Sequence, residues 1–184
     1  SRHFGVGADG LLLLERSSIA DFAMRYFNAN GSFGGMCGNG GRCIARFAYH
    51  HGIAGRTLRF EALDHAYAAE VMEPSVKLHM KVPKNLSANR LVHLISREVI
   101  ASFVDTGSPH VVIESPVVEE VDVESIGREI RLLETVFPVG TNVNFVQPIG
   151  PNTLKLRTYE RGVEAETLAC GTGAVASAVV FSSL

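Results

Sequence analysis

The chain has 184 residues, of which 46% are hydrophobic and 20% charged, and its formal net charge is −2. That is the make-up of an ordinary globular protein, long enough to bury a core in one domain or in two small ones. It offers no electrostatic case for nucleic acid or an anionic membrane, both of which favour clustered Lys and Arg, and no apolar run is long enough to span a bilayer.

The chain opens on "SRHFGVGADG", without an initiator Met or a signal-peptide pattern, so the expectation is a chain that begins inside a longer protein or has lost its N-terminus. "GVGADG" has the glycine spacing of a dinucleotide fingerprint, but no strand precedes it and a strand follows. A turn into "LLLLE" (11–15) is the better reading, and that continuous apolar run predicts a more fully buried strand. "FAMRYF" places Phe22, Met24 and Tyr26 on one side of a second strand. In "GRCIARFAYHHG" the residues Cys43, Ile44, Phe47 and Ala48 recur at helical spacing. The helix is expected to start just after the preceding glycines, to bury Cys43 as a small hydrophobe and to stop at Gly52. "LRFEA" and "AYAAEVM" read as strands, as does "VKLHMKV", with Val76, Leu78, Met80 and Val82 on one face.

Pro83, followed by "KNLSAN", marks a boundary, giving halves of 1–83 and 84–184. Beyond it "REVIASFVDTG", "HVVIES", "TNVNFVQPI" and "TLKLRTYER" read as strands. Asp122 is the expected N-cap of a surface helix that turns Val123, Ile126, Ile130 and Leu133 inward. "GTGAVASAVVFSSL" is apolar almost all round, which predicts a helix buried on every side. The inferred class is α+β: two pseudo-symmetric domains, each a mostly antiparallel sheet or barrel wrapped around a central helix.

Two stretches carry the chemistry. Cys37-Gly38-Asn39-Gly40 and Cys170-Gly171-Thr172-Gly173 each set a cysteine ahead of a helix, one in each half. Glycines admit close approach of a ligand, and free N–H groups at a helix N-terminus bind carboxylates. A thiol there feels the positive pole of the helix, which is expected to lower its pKa from about 8.5 towards neutrality. A single such turn would be a structural cap. Two suit a two-base proton transfer, in which one thiolate removes a proton from carbon and the other thiol returns one to the opposite face. Three cysteines at this spacing make neither a disulfide framework nor a zinc site, so reduced thiols in a reducing compartment, the cytoplasm, are expected. His110 in "DTGSPH" sits among polar groups in a tight turn. Arg161, in "YERG", is a candidate bidentate grip on a carboxylate.

With these motifs, "RHFGVGADG", "YFNANGSFGGMCGNGGRCIARF", "TGSPH", "FPVGTNVNFV" and "ERGVEAETLACGTGA", the chain resembles the diaminopimelate epimerases. The resemblance implies two domains with the active site in the cleft between them. It also implies interconversion of LL- and meso-diaminopimelate without pyridoxal phosphate, metal or any other cofactor, for lysine and peptidoglycan precursors. Carried over by motif, Cys37 and Cys170 are the acid/base thiols. Gly38, Asn39, Gly171 and Thr172 hold the reacting carboxylate and amine region. Asn28, Asn142 and Arg161 grip the distal end, and His110 and Glu160 contact the α-amino group. Ser108 occupies a binding position where many relatives have Asn, and Asn30 replaces a commoner Asp in a turn. The resemblance further implies a homodimer, and a chain that lacks the family's terminal segments at both ends. The alternatives are a proline racemase-like enzyme or a non-catalytic amino-acid-binding protein. A cysteine hydrolase has less support, since no His is tied by pattern to either thiol.

Overall fold

A computed structural model describes residues 5–95 and 97–183. Arg2, His3 and Phe4 of the stretch "RHFGVGADG", and Leu184 at the end of the stretch expected to form the last helix, lie outside the described residues. The fold is α+β, in two compact units, Ser1–Lys81 and Val82–Leu184.

The first unit is a five-stranded sheet with its strands side by side in chain order: β1 (Gly10–Glu15), β2 (Phe22–Asn28), β3 (Thr57–Ala62), β4 (His65–Met72) and β5 (Ser75–Leu78). Neighbours are antiparallel except β2 and β3. Parallel strands cannot be joined by a tight turn, and helix α1 (Gly38–His50) lies in that connection. Alternation places Phe22, Met24, Leu58, Phe60, Tyr67, Ala69 and Val71 inward, where they meet Ile44, Ala45 and Ala48 of α1. Burying each of the larger side chains contributes about 1.5–3 kcal/mol.

Three expectations change here. β1 lies at the edge of the sheet, and period-two alternation packs Leu12 and Leu14 against the core while Leu11 and Leu13, on the opposite face, are exposed despite the apolar run. β5 ends at Leu78, because beyond the His79 N–H bond to the Ala68 carbonyl its ladder stops. Met80 and Val82 therefore do not extend it, and Val82 is exposed. Helix α1 starts within the glycines, at Gly38, and turns Cys43 and Phe47 outward. The buried stripe is Gly41, Ile44, Ala45 and Ala48. Its small residues bring the helix close to the sheet, a choice that apolarity alone does not reveal, since Cys43 and Phe47 form an equally apolar stripe.

The second unit is a six-stranded sheet in the order β11-β10-β9-β8-β7-β6, comprising β6 (Lys84–His93), β7 (Glu98–Asp105), β8 (Pro109–Glu114), β9 (Asn142–Gly150), β10 (Thr153–Glu160) and β11 (Ala165–Thr167). Among the described residues only β8 and β9 are parallel in this sheet, and the connection between them carries α2 (Val123–Arg131). Asp122 caps α2, accepting the Ser125 N–H at 3.1 Å. One face of the sheet packs Val111, Ile113, Val143, Phe145 and Tyr159 with Val123 and Ile130 of α2. The other face packs Val104, Val112 and Val146 against Ala176 and Val180 of α3 (Gly171–Ser182). Since the sheet covers α3 from one side, Ala174 and Ala178 are exposed, and the helix is not buried all round. "KNLSAN", just past Pro83, forms the start of β6. Left-handed backbone at Asn85 and Asn89, with register shifts on both sides of Ser87, breaks the alternation that would have revealed a strand.

Candidate active site

Both cysteines are helix N-caps. Cys37 is in extended backbone (φ −118°, ψ 120°), and its sulfur accepts the Gly40 N–H at 3.4 Å. Cys170 repeats this at φ −121°, ψ 106°, accepting the Gly173 N–H at 3.4 Å. Each carbonyl also starts its helix, the Gly41 N–H donating to Cys37 at 2.8 Å and the Ala174 N–H to Cys170 at 2.9 Å. Ser, Thr, Asp and Asn usually fill this role. A sulfur there takes one helix-end N–H and sits at the positive end of the dipole.

The glycines following Cys37 have a second cause beyond ligand access. A Cβ on Gly40 would lie 2.9 Å from Leu12 Cδ2, and one on Gly41 would lie 3.1 Å from Leu78, Met36 and Phe60. These two positions let α1 seat on the sheet, while Gly38 and Asn39 form its first turn. The Arg42 guanidinium bonds Asn39 Oδ1. Asn28, at the end of β2, turns its amide to Ser32 Oγ at 3.0 Å, within a turn where Asn30 Oδ1 accepts the Ser32 N–H.

In the second unit the predicted residues gather around α3. Period-two placement on β8, β9 and β10 puts Ser108 and His110, Asn142 and Asn144, and Thr158 and Glu160 along one side of the sheet, at the end where α3 begins. Asn142 donates to Ser108 Oγ at 3.0 Å and to the Pro109 carbonyl at 3.1 Å, and its Oδ1 accepts the Arg161 N–H at 2.9 Å. Ser108 thus serves as an anchor for Asn142. The Arg161 guanidinium is oriented by the Val139 and Gly140 carbonyls at 3.0 and 3.4 Å, and burial together with the nearby Arg131 cation lowers its pKa.

Cys170 is buried, with Thr172 Oγ1 at 3.4 Å from its sulfur. Burial, reinforced by the adjacent Glu160 carboxylate, pushes its thiol up to about 12, against the bonds from Thr172 and Gly173. This corrects the expectation of a lowered value. The helix end is present, but loss of water and a neighbouring anion both oppose the thiolate. His110 is buried and burial pushes it down to about 4, with the Arg161 cation acting in the same direction. A cavity of about 790 Å³ beside β6 touches His110 and Thr141, but neither Cys170 nor Glu160 lines it.

Sequence reasoning passed over Asn144, Thr158 and Thr106. Asn144 bonds His110, Thr158 bonds Asn144, and Thr106 Oγ1 donates to the Thr172 carbonyl at 3.3 Å. For Asn144 and Thr158 the available signal was a polar residue at every second position of "NVN" and "TYE", on the strand face that carries the predicted Asn142 and Glu160.

A family model described as diaminopimelate epimerase matches residues 1–82 and 102–184. The chain belongs to the diaminopimelate epimerase family. It is 49% identical to the diaminopimelate epimerase of Aquifex aeolicus strain VF5, over 97% of this chain and 65% of that protein. To the diaminopimelate epimerase of Chlorobaculum tepidum it is also 49% identical, over 98% of this chain and 70% of that one. The chain thus spans about two thirds of the length of these relatives. Among solved structures it is similar to a probable proline racemase from Agrobacterium radiobacter K84, with a TM-score of 0.70 at 16% identity over 95% of this chain and 60% of that one. It is likewise similar to a hydroxyproline epimerase from Agrobacterium vitis, with a TM-score of 0.67 at 17% identity over 95% and 60%. At such identity these two show the fold alone. No helix among the described residues is long and apolar enough to cross a membrane.

Proposed function

We propose that the protein epimerises LL- and meso-diaminopimelate by two-base proton transfer, with Cys37 and Cys170 as the acid/base pair. The observation that carries this reading is the repeated cap: in each unit a cysteine sulfur accepts the N–H three residues on, at the first turn of a helix. The α-proton of an amino acid is weakly acidic, and no electron sink is needed if fixed dipoles stabilise the charge that develops on the carboxylate. Two helix N-termini supply such dipoles, and removing one donor of this kind typically costs about 10²–10³ in rate.

The two thiols must differ, one ionised and one protonated. Burial and the Glu160 carboxylate, which raise the Cys170 thiol, favour the acid role for it in the free chain. Glu160 beside it deters a thiolate until substrate binds, and the roles exchange with substrate configuration. Gly38, Asn39, Gly171 and Thr172 bind the reacting carboxylate and amine region. Asn28, Asn142 and Arg161 take the distal carboxylate. Asn142 acts twice there, since the same side chain fixes the Arg161 backbone and Ser108. A reducing, cytoplasmic setting is expected from the cysteine spacing, and a homodimer is a possible assembly.

The test is solvent exchange in D₂O. Deuterium should enter the α-carbon of product from diaminopimelate and not from proline, and Cys37→Ala and Cys170→Ala should each abolish epimerisation. Full turnover in either variant would sink the two-base reading.

A further inference from the structure

We propose that Asn144 is a positioning residue that holds His110 as the Nε2–H tautomer, so that the buried imidazole presents a hydrogen-bond donor to a carboxylate oxygen of the bound amino acid. The identity of that ligand rests on the epimerase reading; the tautomer does not.

The argument starts at an atom that can only accept. The Val111 carbonyl oxygen lies 2.8 Å from Asn144 Nδ2, which must therefore be the amide NH₂ rather than the oxygen. One of its two protons goes to Val111. The other points at His110 Nδ1, 3.0 Å away. Nδ1 must then supply a lone pair, and the proton of a neutral ring sits on Nε2. Reversing the amide is blocked from two sides. It would set oxygen against the Val111 carbonyl, and it would lose the bond from Thr158 Oγ1 to Asn144 Oδ1 at 3.1 Å. Asn144 is fully buried, so water cannot take over either bond.

At the far side of the ring, Nε2 is buried and has no partner among the described residues. A buried N–H without an acceptor is costly and is normally satisfied, which marks this one as awaiting a ligand. An ammonium group carries donors only and cannot accept it, whereas a carboxylate oxygen can. His110 is therefore matched to carboxylate rather than to the α-amino group that the family resemblance suggested. Arg161, the charged residue acting on the ring, is a cation and favours the same kind of ligand.

The experiment is ¹⁵N NMR of the histidine rings in the intact protein near neutral pH. His110 should show an unprotonated Nδ1 and a protonated Nε2, and the Nε2–H signal should move downfield on adding diaminopimelate. The opposite tautomer in the wild type would overturn the proposal, as would an unmoved signal under saturating, turned-over substrate. In Asn144→Asp the carboxylate should draw a proton onto Nδ1, with kcat down at least tenfold and KM changed less. Thr158→Val frees Asn144 without adding charge. It should give mixed tautomers and a several-fold loss of kcat. If either variant, folded by near-ultraviolet circular dichroism, keeps pure Nε2–H and wild-type kcat, Asn144 does not position the ring. An Nε2–H ring in protein that binds diaminopimelate but never exchanges its α-proton would refute the epimerase reading and leave the tautomer assignment standing.

Discussion

Asn144 occupies the space that a side chain at Gly173 would need: a Cβ there would lie 2.2 Å from Asn144 Oδ1. The glycine that donates to the Cys170 sulfur is thus also the one that lets α3 start against the polar end of the sheet.

Gly173→Ala is accordingly expected to destabilise the protein by about 1–3 kcal/mol, the range for overpacking a filled site. It should also shift the Cys170 cap and depress activity. Gly55→Ala, where the nearest atom is at 3.7 Å, serves as the control and should behave like wild type. Urea unfolding of both variants measures the difference.

Cys170 should be slow to alkylate. With its thiol at about 12 and its side chain buried, iodoacetamide at pH 8 should label exposed Cys43 well before Cys170, as read by peptide mass spectrometry. The folded value lies above the ordinary 9.0, so the stability that Cys170 contributes is complete below pH 9 and is lost as the pH rises towards 12. Cys170→Ser should flatten that part of the stability curve.

His110 works in the acid direction. Its folded value of about 4 lies below the ordinary 6.5, so the unfolded chain takes up the proton first. Stability is therefore expected to fall as the pH drops from 6.5 to 4, by on the order of 3 kcal/mol. His110→Gln should remove that slope in denaturation curves recorded across this window; an unchanged slope would assign the acid sensitivity to other groups.

Asn142→Ala strips partners from Ser108, the Pro109 carbonyl and the Arg161 N–H at once. Leaving such buried groups unsatisfied costs about 1–3 kcal/mol each at most. If Arg161 holds the distal carboxylate, KM for diaminopimelate should rise tenfold or more while kcat changes less, because the interaction lost is the same in ground and transition states. Steady-state kinetics separate the two.

How much of this was legible in the chain depends on the range of the interaction. The caps at Asp122 and Cys170 are local, a side chain reaching an N–H three residues on, and they stand in the sequence with the helices they open, whereas α1 starts earlier than its apolar pattern does, directly after Cys37. Strands with clean alternation, such as β2 and β10, are legible for the same reason. β6 was hidden because two left-handed asparagines shift its register. Cys43 and Phe47 were misassigned because helical periodicity gives candidate stripes and only the partner sheet selects one.

The sequence by itself determined two cysteines at helix starts and the family whose motifs surround them. Only the tertiary structure decided their chemical setting. The thiol of Cys170 is governed by burial and by Glu160 on a neighbouring strand, and the proton of His110 by Asn144, which lies 34 residues away along the chain. Those effects depend on distance through space and on lost water, neither of which is written in the spacing of residues along the chain.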